Sequence, residues 1–141
     1  MEYKRFGSTV VVRIDRGEEI IEQLRRVALS ENIKLAQISA LGATDLFTVG
    51  VYDPVIGEYT TNEFSGEPFE IVSLTGTVNT MLGDFYCHLH MSAGDKSGRV
   101  FGGHLSRAVI SATCEMIINI IDGCVDRARD PETGLNLFDF I

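Results

Sequence analysis

DRGEEIIEQLRRVALSENIKLAQISALG, residues Asp15 to Gly42, changes its period partway along. Up to Asn32, the apolar residues Ile20, Ile21, Leu24, Val27 and Ala28 recur at helical spacing and fall on one face. Asp15 and Glu18 have the spacing of a capping box, and Asn32 reads as the stop. Glu18, Glu19 and Glu22 come early and Arg25 and Arg26 late, the order that complements a helix dipole. From Ile33 onward the alternation is that of strands. IKLAQISALG, TDLFTVGVYD, GEYTTNEF, FEIVSLTGTVN, DFYCHLHMS and SATCEMIINIID are each bounded by Gly, Pro, Asp or Asn, and STVVVRI precedes the helix as a further strand. DPVIGE (Asp53 to Glu58) reads as a hairpin turn, with Pro54 setting φ and Gly57 free to take a positive one. Strands joined this briefly pair antiparallel. The expected fold is α+β: a central, mostly antiparallel sheet of six to seven strands with one main helix near the N-terminus.

A chain of 141 residues, 45% hydrophobic, suits one core, so residues 1–141 are expected to form a single domain. The apolar run MIINII (Met116 to Ile121) is far shorter than the roughly 20 residues that span a bilayer. MEYKRFGS meets charge before any apolar segment, which does not fit a signal peptide. Cys87, Cys114 and Cys124 are odd in number and form no C-x-x-C, as suits reduced thiols packed as small hydrophobes. A cytoplasmic location with no membrane partner is expected.

Twelve basic and twenty acidic residues give a formal charge of −8. Duplex binding works by replacing counterions around phosphates with Lys and Arg, so this sign opposes direct DNA contact. The basic residues form no linear patch: Lys4, Arg5, Arg13 and Arg16 lie near the start, Arg25 and Arg26 in the helix, and Arg127 and Arg129 near the end.

All three histidines lie in CHLHMSAGDKSGRVFGGHL, Cys87 to Leu105. On a strand through DFYCHLHMS, Phe85, Cys87, Leu89 and Met91 share one face, while Tyr86, His88 and His90 share the other. The first face is core, so the histidines point away from it. His104 follows a glycine-rich connection long enough to return beside the strand it left, and Gly102 and Gly103 permit a tight backbone approach. Three neutral imidazoles with an open fourth position suit a divalent ion, zinc first, with nickel, cobalt and copper as alternatives.

FEIVSLTGTV (Phe69 to Val78), HLHMSAGDKSGRVFGGHL (His88 to Leu105) and DPETGLNLFDF (Asp130 to Phe140) resemble the recurring blocks of the PPC domain, the plants and prokaryotes conserved domain. That resemblance implies an α+β fold around an antiparallel sheet, a homotrimer, and a metal site at the matching histidines His88, His90 and His104. The family is commonly described as DNA-binding. In its plant members that contact is attributed to an Arg-Gly-Arg-Pro AT-hook outside the domain, and this sequence has none; its nearest approach is Arg16-Gly17-Glu18. Pro68 also stands where plant members carry an arginine before the Phe69-Glu70 pair.

Three functions follow as alternatives. One is a trimeric metal-binding module acting in regulation through a protein partner, and another is a direct DNA binder. The third is a metal-dependent enzyme, for which Glu70, Asp95 and Glu115 are the candidate general bases. Ser92 and Ser97 read as turn formers more readily than as nucleophiles. No nucleotide-binding glycine motif is present.

Overall fold

The computed structural model describes residues 1–140. In chain order its elements are β1 (Glu2–Phe6), β2 (Thr9–Asp15), α1 (Ile20–Ser30), β3 (Ala36–Asp53), β4 (Glu58–Met81), β5 (Asp84–Gly94), β6 (Val100–Ile120), β7 (Asp126–Arg129) and β8 (Asn136–Asp139). The main sheet has six strands in the order β1-β2-β6-β3-β4-β5, every pair antiparallel, and β7 and β8 form a separate hairpin. The fold class is the α+β architecture expected. β5 also pairs with the start of β6, from Gly94 opposite Val100 to His90 opposite His104. That contact closes β3, β4, β5 and β6 into a ring, and the histidines sit where it closes.

Four of the expected strands fuse into two. IKLAQISALG and TDLFTVGVYD become the single strand β3, and GEYTTNEF and FEIVSLTGTVN become β4. The Gly and Pro residues that read as breaks are bulges. Between the pairs Leu46–Ser65 and Thr44–Phe69, β3 advances by one intervening residue and β4 by three, among them Pro68. A residue without an N–H costs nothing where the ladder is already interrupted. Asp53 to Glu58 is the expected turn, with Gly57 at φ 71° and its N–H on the Asp53 carbonyl at 2.8 Å.

The helix begins later than the sequence pattern indicates. The Glu18 carboxylate accepts from the Asp15 N–H at 2.8 Å, one half of the expected box, but Asp15 ends β2 and its own carboxylate binds the Met1 ammonium and Arg13. Residues 17 to 19 are tied to β6 instead: Gly17 N–H to the Ile110 carbonyl, Ile110 N–H to the Glu18 carbonyl, and Ala108 N–H to the Glu19 carboxylate. Glu19 is therefore the cap, accepting from the Glu22 N–H at 2.7 Å. Arg25 and Arg26 fall before the last turn, which holds no basic residue. The C-terminus closes as a Schellman motif. Asn32 takes φ 52°, and the Asn32 and Ile33 N–H groups reach the Leu29 and Ala28 carbonyls.

The core lies between α1 and the sheet. Ile20, Leu24, Val27 and Ala28 pack against Val10, Val12 and Ile14 of β2 and Ile110, Met116 and Ile118 of β6 in one buried cluster. Inside the closed end, Phe47 is fully buried, stacked on Phe64 at 4.9 Å and edge-on to Phe69 at 5.1 Å. Cys114 is buried and Cys87 half-buried, as suits small hydrophobes, whereas Cys124 is exposed; all three thiols are free. Among the described residues, no helix is long and apolar enough to cross a membrane.

Candidate metal centre

β5 presents Leu89 and Met91 to the core and His88 and His90 to the opposite side, as strand alternation requires. His104 arrives on β6 directly across from His90, and on its other flank pairs with Gly50 of β3. The neighbouring Gly103 makes this crossing possible. A Cβ there would stand 2.5 Å from the Gly50 carbonyl oxygen, closer than any real contact. The His104 segment is therefore strand and not loop; the connection from β5 to β6 is only residues 95 to 99, folded around Asp95.

The three rings converge, with centroids 5.1, 5.1 and 5.6 Å apart. One nitrogen from each lies within 4.8 Å of the others. His88 Nε2 and His90 Nε2 are 3.2 Å apart, close to the roughly 3.3 Å that separates two nitrogens bound at about 2.0 Å to one tetrahedral ion. His104 Nδ1 is buried with no hydrogen-bond partner. Burial pushes the His88 imidazole down to about 4, with repulsion from His104, Arg127 and His90 adding to it. Burial, then His90, lowers His104 as well. Both effects favour the neutral form of these two rings, the form that ligates a metal. This donor set fits a borderline-soft divalent ion.

The histidines open onto a cleft of about 680 Å³. Its sides include Tyr52, Tyr59 and Tyr86, and its far wall is Leu135, Leu137 and Phe138 from the β7–β8 hairpin. The Tyr59 ring lies 5.2 Å from the His104 ring, and the Tyr52 hydroxyl donates to the Thr133 carbonyl, tying β3 to the hairpin turn. Arg127, also in the lining, is only 6% exposed. It lies between the Tyr86 and Phe138 rings, 4.9 and 4.3 Å from their centroids, and donates to Asn79 Oδ1 at 3.0 Å and the Asn136 carbonyl at 2.6 Å.

Tyr86 was legible in sequence as a neighbour on the histidine face. Tyr52, Tyr59 and Arg127 carried no local signal, because only the hairpin and the sheet closure bring them in.

The carboxylates considered as general bases do not reach the cleft. Glu70 and Glu115 are exposed on β4 and β6, and neither lines the cleft. The Asp95 carboxylate is committed to its own turn, accepting from Ser97 Oγ and from the Ser97 and Arg99 N–H groups and pairing with the Arg99 guanidinium. These bonds, Ser97's first, hold it well below the usual carboxylate range. Ser97 is thereby a turn former, and Ser92 lies outside the cleft lining. Of the arginines that could have formed a basic patch, Arg107 is exposed on β6, and Arg13, Arg99 and Arg127 are paired or buried. Arg13 pairs with Asp15 and Glu2, Arg99 with Asp95, and Arg127 is buried.

The profile of the Plants and Prokaryotes Conserved (PCC) domain matches residues 1–122, and the chain belongs to this family, the PPC domain of the sequence resemblance. Among solved structures, the metal-containing protein AF0104 of Archaeoglobus fulgidus is 34% identical, with a TM-score of 0.86 over 97% of this chain and 96% of that one. A plant- and prokaryote-conserved protein of Pyrococcus horikoshii is 26% identical, TM-score 0.85, over 99% of this chain and 94% of its own. A Bacteroides thetaiotaomicron protein provisionally called DNA-binding is 29% identical, TM-score 0.95, over 99% and 96%. Among curated proteins, the bifunctional protein GlmU of Synechococcus sp. (strain JA-3-3Ab) is 28% identical over 126 residues, 87% of this chain; the chain spans 19% of that relative's length.

Proposed function

We propose that this chain is a metal-binding module of the PPC family, one domain over residues 1–141, in which His88, His90 and His104 hold a single divalent ion, zinc by preference. The observation that carries the reading is the convergence of three imidazoles with a buried, unpartnered His104 Nδ1. The metal-containing relative from Archaeoglobus fulgidus supports it. A zinc ion held by three imidazoles keeps a fourth position for an exchangeable ligand. The chain's own residues supply the rest: β5 and β6 fix the rings, and burial keeps two of them unprotonated.

The working unit is a homotrimer in the cytoplasm. Exposed apolar side chains on the long strands, among them Leu41, Val72 and Val100, each more than half exposed, are surface that assembly would cover. The family resemblance gives the number three. DNA is reached through a protein partner, since the charge of −8 triples to about −24 in a trimer and repels phosphate. A binding role is preferred over a metal-dependent hydrolase because none of Glu70, Asp95 and Glu115 lines the cleft.

Zinc titration followed by thermal unfolding tests the metal reading. A concentration one hundred times Kd contributes about 2.7 kcal/mol, or roughly 9 °C for a chain of this size. His104→Ala should abolish that rise. A wild-type protein whose melting temperature ignores zinc and nickel would refute the site. Light scattering at the mass of one chain would refute the trimer.

A further inference from the structure

Of all the surface features, the cleft above the histidines carries the most chemistry left unexplained by metal binding. Its composition departs sharply from that of the chain. The sequence holds twenty acidic residues, yet no Asp or Glu lines the cleft. The one Lys, Arg, Asp or Glu among the lining side chains is Arg127, set beside three histidines and three tyrosines. A strongly acidic protein has thus walled off one concave region in which the fixed charge is positive.

Arg127 is also built in a way that structural arginines need not be. Tyr86 and Phe138 sandwich the guanidinium, and Asn79 and the Asn136 carbonyl hold Nε and Nη1. Among the described residues, Nη2 meets no acceptor. Burial disfavours this cation, so an anion entering the cleft gains an interaction that solvent screens little. The remaining wall is apolar and aromatic: Val51, Leu135, Leu137, Phe138 and the tyrosine rings. A volume of about 680 Å³ is that of a small-molecule site.

We propose that this cleft binds a small organic carboxylate with an apolar or aromatic body, the carboxylate lying between the three-histidine centre and Arg127 and the body against the Leu135–Phe138 wall. The proposal rests on the metal reading for one of its two positive partners and on Arg127 alone for the other. Inorganic phosphate is the poorer match, because it brings no apolar body and asks for more donors than one guanidinium provides.

The sequence supplies its own reporter. There is no tryptophan, and three of the four tyrosines, Tyr52, Tyr59 and Tyr86, line the cleft. Tyrosine fluorescence of the zinc-treated full chain, titrated with 3-phenylpropanoate, its neutral amide and inorganic phosphate, reads occupancy directly. The carboxylate should saturate below about 10 mM, and the amide should bind about tenfold more weakly or worse. Phosphate should not saturate over the same range. Arg127→Gln should weaken the carboxylate by about tenfold or more and leave the amide unchanged. The wild-type comparison of acid and amide stands even where that variant unfolds. Equal binding of the two, or no saturation by either, overturns the proposal. If zinc is taken up and no carboxylate preference appears, this inference fails and the metal reading survives. If no zinc is taken up and the preference persists, the metal reading fails and the carboxylate site stands on Arg127.

Discussion

Gly76 lies on β4 opposite Leu89, in the strand paired beside the one that carries His88 and His90. A Cβ at this position would stand 2.0 Å from the His88 carbonyl oxygen, 2.8 Å from Leu89 Cα and 2.9 Å from the His88 carbonyl carbon. All three are backbone atoms, so no side chain can rotate out of the way. Gly76→Ala must push β4 and β5 apart by about 1 Å or break their ladder locally, and overpacking of this kind costs about 1–3 kcal/mol or more. Because every offending atom is backbone, the upper end applies. With an unfolding entropy of about 2.1 cal/mol/K per residue, 3 kcal/mol lowers the melting temperature of this protein by about 10 °C. Gly94→Ala is the control. It lies on the same strand as His88, and its added Cβ meets only ordinary contacts at 3.7 Å or more, so the change should stay within about 0.5 kcal/mol. Thermal unfolding by circular dichroism distinguishes them. Equal melting temperatures for Gly76→Ala and wild type would refute the packing argument.

Further outcomes follow from the same geometry. Phe47→Ala removes a fully buried ring stacked on Phe64 and edge-on to Phe69 and should cost about 3–5 kcal/mol in urea unfolding, against almost nothing for the half-exposed Phe6→Ala. In chelator-treated protein, His88 should stay neutral down to about 4 while the unfolded chain takes up its proton near 6.5. The unfolded state then binds more protons across that window, so wild-type stability should fall as the pH drops from 6.5 to 4. His88→Gln should flatten that part of the curve, and an unchanged slope would count against the burial of this ring. Labelled AT-rich and GC-rich duplexes, titrated near physiological salt, should bind weakly and alike; nanomolar AT-selective binding would overturn the reading of the charge.

Much of the fold was legible because period is local. The alternation in DFYCHLHMS placed His88 and His90 together and Leu89 in the core, and the turn at Asp53 to Glu58 announced itself through Pro54 and Gly57. Strand boundaries were less legible, since Gly and Pro mark a bulge and a break with the same letters. Gly42 and Pro68 sit inside continuous strands. The helix start was displaced because β6 competes for residues 17 to 19, a contact across some ninety positions that no local pattern encodes. In the site, the histidines could be read and the cleft could not. Tyr52, Tyr59 and Arg127 reach it from β3, β4 and β7 only after the sheet has closed through the β5–β6 pairing.

The central claim is that His88, His90 and His104 together hold one metal ion. Elemental mass spectrometry of the purified, untagged protein, run beside His104→Ala, tests it most directly. The account predicts about one equivalent of a divalent ion per chain, zinc foremost, in the wild type and a substoichiometric trace in the variant. A wild-type protein without a stoichiometric ion, or a variant that retains a full equivalent, would contradict it.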